Sequence, residues 1–356
     1  VIGMNDVDKD TNFTVGYADG PFGDQDAVQQ VVLNGVGTKA DAATLSIFGN
    51  AGITGLIVNA TGTNNLALRD IVADGSGSLA IDTLNIIGSG TFNLKAEELP
   101  VKQGQLGTLV DTNFALLESL DAVDFSGDLT IDVSGAEGGT LKSALLGDGD
   151  DELTVHAFDV SIANSDKSEV GNIELLNPSN DTILDGGDGQ DTLVVKTDWN
   201  SFSLEDLQDA VGEFNTGSFP DDVPLFDFTN VSGFETFVFS YAGGEDAPSG
   251  YENVVPVGEA DEVLDLTETD FTSMIFDGGV ELGNANDFVI KADADFNAIT
   301  VKGVVTDTHT GGSAPNFTNL SDGNFVLEGF EDLALTFEDN VGLSTKPIGI
   351  VGDDLV

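Results

Sequence analysis

The chain contains no cysteine. Neither disulfides nor thiolate-bound metals contribute to its stability, and the redox state of its compartment leaves no mark on it. Basic residues are also scarce: 11 Lys and Arg stand against 63 Asp and Glu, for a formal net charge of −52, and Arg69 is the sole arginine. No basic patch can be assembled from so few cations, which excludes nucleic acid as a partner and disfavours anionic membrane surfaces. The two histidines, His156 and His309, stand in no zinc or copper spacing. No run approaches the ~18 apolar residues of a bilayer-spanning helix, so membrane insertion is not expected. There is no G-x-S-x-G elbow or phosphate loop, and no Ser/His/Asp constellation is legible. Paired carboxylates can hydrolyse glycosides, but among 63 acids such a pair carries no information. The reading is therefore not an enzyme. The chain begins at Val1, without an initiator Met or a signal-peptide pattern, which reads as a processed or partial chain.

What is present is apolar and turn-forming material. Apolar residues make up 40% of the chain, Phe occurs 23 times and Gly 44 times, so a core can form despite the acidity. Short apolar groups such as Val31–Leu33, Leu56–Val58, Leu84–Ile87 and Phe92–Leu94 recur between Gly, Asn and Asp. This is the rhythm of many short strands and turns. It divides the chain into a Gly/Asn/Thr-rich β domain over residues 1–125, solenoid or sandwich, and a second β domain over 126–356. Short helical insertions are expected at Ala96–Leu99, before Pro100, and after the Ser203/Asp206 capping box that precedes Leu204, Leu207, Ala210, Val211 and Phe214. Thr112–Leu120 admits helix or strand.

One stretch has a distinct chemistry. Gly186, Gly187, Asp188, Gly189, Gln190, Asp191, Thr192, Leu193 and Val194 fill every position of G-G-x-G-x-D-x-U-x. Glycines let the backbone turn tightly enough for its carbonyl oxygens to face one point, and alternate aspartates add carboxylates there. A hard cation that prefers six to eight oxygens suits that arrangement, and magnesium, with its stricter octahedron, suits it less. The candidate calcium ligands are Asp185, Asp188 and Asp191 with backbone oxygens of Gly187 and Gly189, then Asp148, Asp150 and Asp151 in a copy that lacks only its first glycine. Asp277, Asn284, Asn286 and Asp287 form a degenerate copy interrupted by four residues, and Asp181 lies in a ten-residue echo upstream of Asp191. Asp6, Asp8 and Asp10, the Asp24/Asp26 pair and the Asp353/Asp354 pair read as solvated surface. A longer unit recurs as well. Val231–Phe239 resembles Leu327–Leu335, with Val170–Leu176 as a shorter relation, and Asp191 to Asp287 and Glu235 to Glu331 both span 96 residues, the mark of stacked repeats.

On these nonapeptides and G-F-E strands the chain resembles the RTX (repeats-in-toxin) family, closest in character to bacterial surface-layer proteins and RTX adhesins. The resemblance implies secretion without a cleaved N-terminal signal, calcium-dependent folding outside the cell, and lateral assembly at the cell surface. The expectation is a mostly β protein, an irregular parallel β-helix or β-solenoid with calcium in its Gly/Asp turns. Its apolar ladder is expected to include Leu153, Leu193, Val195, Phe237, Val289 and Leu335. Its function would be that of a secreted, calcium-dependent structural protein, its partners other copies of itself bridged by Ca2+. The alternative is an adhesin module that binds carbohydrate or another cell, with cell-surface polysaccharide as a further candidate partner. A β-helix polysaccharide-active enzyme is the third reading. It is disfavoured because one Arg, two His and Tyr17, Tyr241 and Tyr251 offer little to an acidic sugar.

Overall fold

The computed structural model describes residues 1–8, 11–16, 27–38, 40–48, 53–71, 81–96, 114, 117–134, 141–156, 158–162, 170–175, 182–199, 228–243, 254–256, 262–277, 279–282, 288–302, 305–307, 324–338 and 349–352. Among them there is no helix, and the regular structure is all strand. They pack as two units. The first comprises Val1–His156, Ser179–Val194 and Asn230–Phe234; the second comprises Ala157–Pro178, Val195–Thr229 and Glu235–Val356.

In the first unit parallel strands follow one another in chain order along two ladders. One runs Ile2–Val7, Ala27–Val36, the first part of Ile53–Ile71, the first part of Thr83–Ala96, then Ser119–Asp121, Ser143–Leu145, Ile183–Asp185 and Val231–Ser232. The other runs Asn12–Gly16, Ala43–Phe48, the later parts of the same two long strands, Leu129–Asp132 and Glu152–His156. Parallel partners need a crossover between them rather than a hairpin, and the intervening ladder supplies it. Alternation sets the register. Leu56, Leu84, Leu120, Ala144 and Leu184 stand in one column, all buried. Their neighbours Thr83, Ser119 and Ser143 form the adjacent column, where the Ser119 and Ser143 hydroxyls lie 3.1 Å apart. Because successive side chains take opposite faces, a one-residue slip would bury the hydroxyls and expose the leucines.

The second unit has three parallel ladders. Thr236–Gly243, Ser273–Asp277, Ala298–Lys302 and Ala334–Glu338 stack Phe237 on Met274, Ile299 and Leu335. Glu262–Asp265, Phe288–Lys291, Asn324–Glu328 and Gly349–Gly352 form the second ladder, and Val254–Pro256, Gly279–Leu282 and Val305–Asp307 the third. Phe228 meets Phe237 and Phe271 edge to face, each at 5.3 Å, a geometry that ring quadrupoles favour. The described exception to parallel pairing is the antiparallel pair Phe158–Ile162 with Val170–Leu175. The Val170 segment is thus not a structural relation of the G-F-E strands.

The expected apolar ladder is corrected at its far end. Leu153, Leu193, Val195 and Phe237 are fully buried. Val289 is only half-buried, because it is Ile290 that points inward, level with Leu264 and Leu327. Leu335 stands in the inward column after Ile299, half-buried. Ala96 closes the strand Thr83–Ala96 rather than opening a helix, and Ser119–Leu120 is strand. The helix expected over Ser203–Phe214 and residues 97–99 lie outside the described residues. Both G-F-E motifs form the same bend: Gly233 and Gly329 take φ of +69° and +88°, each between two strands.

Candidate metal-binding turns

Between the two ladders of the first unit the chain turns through a short glycine-bearing segment. Pairing sets Ala60 beside Gly88 and Gly88 beside Phe125, while Ser126 bridges Asp148 and Asp148 bridges Asp188. Residues 60–68, 88–96, 125–133, 147–155 and 187–195 therefore occupy equivalent places, one above the next. The third residue of each is glycine: Gly62, Gly90, Gly127, Gly149 and Gly189. All five have positive φ, and the stacking distance is the stronger constraint. A Cβ at Gly90 would lie 2.3 Å from the Gly62 oxygen, at Gly127 2.0 Å from the Gly90 oxygen, and at Gly189 1.8 Å from the Gly149 oxygen. Only a hydrogen fits where one turn lies on the next.

The fourth and fifth residues carry the polar chemistry. The fourth is exposed: Asp128 accepts from the Asp150 amide at 3.2 Å through Oδ1, and Asp150 accepts likewise from the Gln190 amide at 3.2 Å. The fifth points inward and bonds in the opposite direction along the stack. Asn64 accepts from the Val36 amide at 3.2 Å, Asp151 from the Leu129 amide at 2.7 Å, and Asp191 from the Asp151 amide at 2.8 Å. The adjacent aspartates Asp150 and Asp151 thus tie their turn to both neighbours. At the same inward position Phe92 and Leu129 are apolar and buried.

The electrostatics single out Asp151. It is 2% exposed, one carboxylate oxygen is used by Leu129, and the other, Oδ2, is buried without a hydrogen-bond partner. Burial pushes its pKa up to about 6, against the pull of the bonded Leu129 amide and of the nearby Gly147 amide, which makes no hydrogen bond to Oδ2, and the charges of Asp128 and Asp150 add to the rise. A buried anionic oxygen without a donor is costly unless a proton or a cation meets it.

The expected ligands divide accordingly. Asp148, Asp150, Asp151, Asp188 and Asp191 are brought into one set of stacked turns, with Asp151 and Asp191 inward and the other three exposed. Asp185, half-buried at the end of its strand, accepts from the Gly187 amide at 3.3 Å. Gly187 takes φ +90°, and a Cβ there would lie 2.1 Å from the Gly147 oxygen. Asp277 ends a strand of the second unit, exposed, level with Ser240 and Lys302. Asp181, Asn284, Asn286 and Asp287 lie outside the described residues. The ten-residue echo is not a stacked copy: Ile183 pairs with Ser143 on the first ladder, whereas Thr192 opens a strand paired with Glu152–His156 on the second. Among the described residues no group of three or more His, Asp or Glu side chains gathers as a metal chelate. A cation in these turns would have to draw on backbone oxygens besides Asp151 and Asp191.

Asn64 falls outside every copy of the nonapeptide. The signal is the frame of glycine, three residues, then Leu or Ile, shared by Gly62/Leu66, Gly90/Leu94, Gly127/Ile131, Gly149/Leu153 and Gly189/Leu193. No family model matches the chain, and neither a curated protein nor a solved structure matches it.

Proposed function

We propose that the protein is a secreted, calcium-dependent structural protein, an irregular parallel β-helix of RTX character that assembles with copies of itself into a surface layer or extracellular matrix. The observation that supports this most directly is Asp151, a buried carboxylate with one oxygen lacking a donor, inside a stack of glycine turns flanked by Asp128, Asp150 and Asp191. Asp151 and Asp191 would hold the ion, together with backbone oxygens of the glycine turns. When bound, calcium supplies the positive charge that offsets these carboxylates. The chain's own residues do the rest: glycines let the turns approach, and the leucine columns bury the apolar surface that holds successive turns together. A chain with a net charge of −52 repels its own copies, so a divalent cation is also the natural bridge between them.

Adding millimolar calcium to chelated, monomeric protein tests the assembly. Light scattering and electron microscopy are expected to show ordered sheets or filaments with no other ligand present. A folded, monodisperse monomer in calcium would contradict self-assembly and favour the adhesin reading.

A further inference from the structure

We propose that the inward fifth residue of each turn decides whether that turn needs a cation, so that the turns at Asn64 and Phe92 form without calcium and those at Asp151 and Asp191 form only with it. This rests on the calcium reading above and deepens it. Asn64 occupies the place of Asp151 and makes the same bond, its Oδ1 accepting from the preceding turn's amide at 3.2 Å. Its Nδ2 then donates to the Thr61 and Gly62 carbonyls at 2.9 and 3.5 Å. This side chain is 0% exposed and neutral, and both ends of its amide are bonded. A carboxylate there could not donate to those carbonyls and would meet them as like partial charges. Phe92 fills the next turn with an apolar ring, 6.5 Å from Phe125 and edge to face with it.

The charge around the two regions differs in the same sense. Residues 53–96 carry three acidic and two basic side chains, whereas residues 118–156 carry ten acidic and one basic. The early turns therefore fold by burial and neutral hydrogen bonds. They present the strand Thr83–Ala96 as a ready edge, and Ser119–Asp121, Phe125–Ser126 and Leu129–Asp132 pair against it. The later turns add to that edge once their buried carboxylates are neutralised.

Hydrogen exchange on the whole chain, with chelator and with millimolar calcium, tests this. Amides of residues 55–68 and 84–94 are expected to stay protected in both conditions. The amide of Leu129, whose acceptor is the Asp151 carboxylate, and those of 151–155 and 191–193 are expected to gain at least ~100-fold protection in calcium. If every segment exchanges freely in chelator and all are protected together by calcium, the proposal is overturned while the calcium reading stands. If calcium changes protection nowhere, the calcium reading itself fails, and this proposal with it. Asp151→Asn gives an independent check by placing at 151 the side chain found at 64. It is expected to raise protection of the Leu129 amide at least ~10-fold in chelator. Unchanged calcium dependence in that variant would also overturn the proposal.

Discussion

Gly189→Ala is expected to abolish the stacked turns, with a loss of more than about 3 kcal/mol in a denaturant titration carried out in calcium. The added Cβ would sit 1.8 Å from the Gly149 carbonyl oxygen, far inside van der Waals contact. The backbone cannot step aside, because the Gly149 amide donates to the Asp188 oxygen at 2.9 Å and the Gln190 amide to Asp150 at 3.2 Å. Gly3→Ala is the matched control. A Cβ there meets nothing within 4 Å, so the change is expected to stay within ~0.5 kcal/mol. Equal effects at the two positions would mean that the turns do not stack as described.

Asp151→Asn is expected to stabilise the chelated protein at neutral pH and to remove much of the response to calcium. The pH dependence gives the sign. Burial raises the Asp151 pKa from 3.8 to about 6, so the folded state binds this proton more tightly than the unfolded chain. The stability it contributes is full below about pH 4 and is lost as pH rises through about 6. Chelated wild-type protein should therefore melt at a higher temperature at pH 5 than at pH 7. General relief of the −52 charge acts in the same direction, so the informative quantity is the difference between wild type and variant. Asp151→Asn should show a smaller dependence over pH 4–7, and identical slopes would contradict the environment assigned to Asp151. Asp151→Ala separates charge from bonding, since it also leaves the Leu129 amide without its acceptor and should destabilise the turn in either condition.

Much of this architecture is legible in the residues, for physical reasons that differ from place to place. The perfect nonapeptide 186–194 announces its turn because the steric demand for glycine and the inward demand for Asp191 fall on fixed neighbours. The alternation in Thr83–Ile87 announces a half-buried strand for the same local reason. The equivalence of Asn64 with Asp151 is not local. The stacked glycines are separated by 28, 37, 22 and 40 residues, because insertions between ladders leave the register untouched while erasing any sequence period. Asn64 and Asp151 share a place in the stack rather than a residue type, and only the pairing of the Val36 and Leu129 amides reveals it. Val289 misled for a simpler reason: in Phe288-Val-Ile-Lys291 three apolar residues run together, and composition alone does not say which one faces inward.

Whether a divalent cation completes the acidic turns is read from thermal melting by circular dichroism in calcium and in chelator. Occupancy of the site at ~100-fold above its dissociation constant contributes about 2.7 kcal/mol, which predicts a melting temperature higher in calcium by roughly 5–10 °C. Superimposable melting curves in calcium and in chelator would mean that no cation completes these turns.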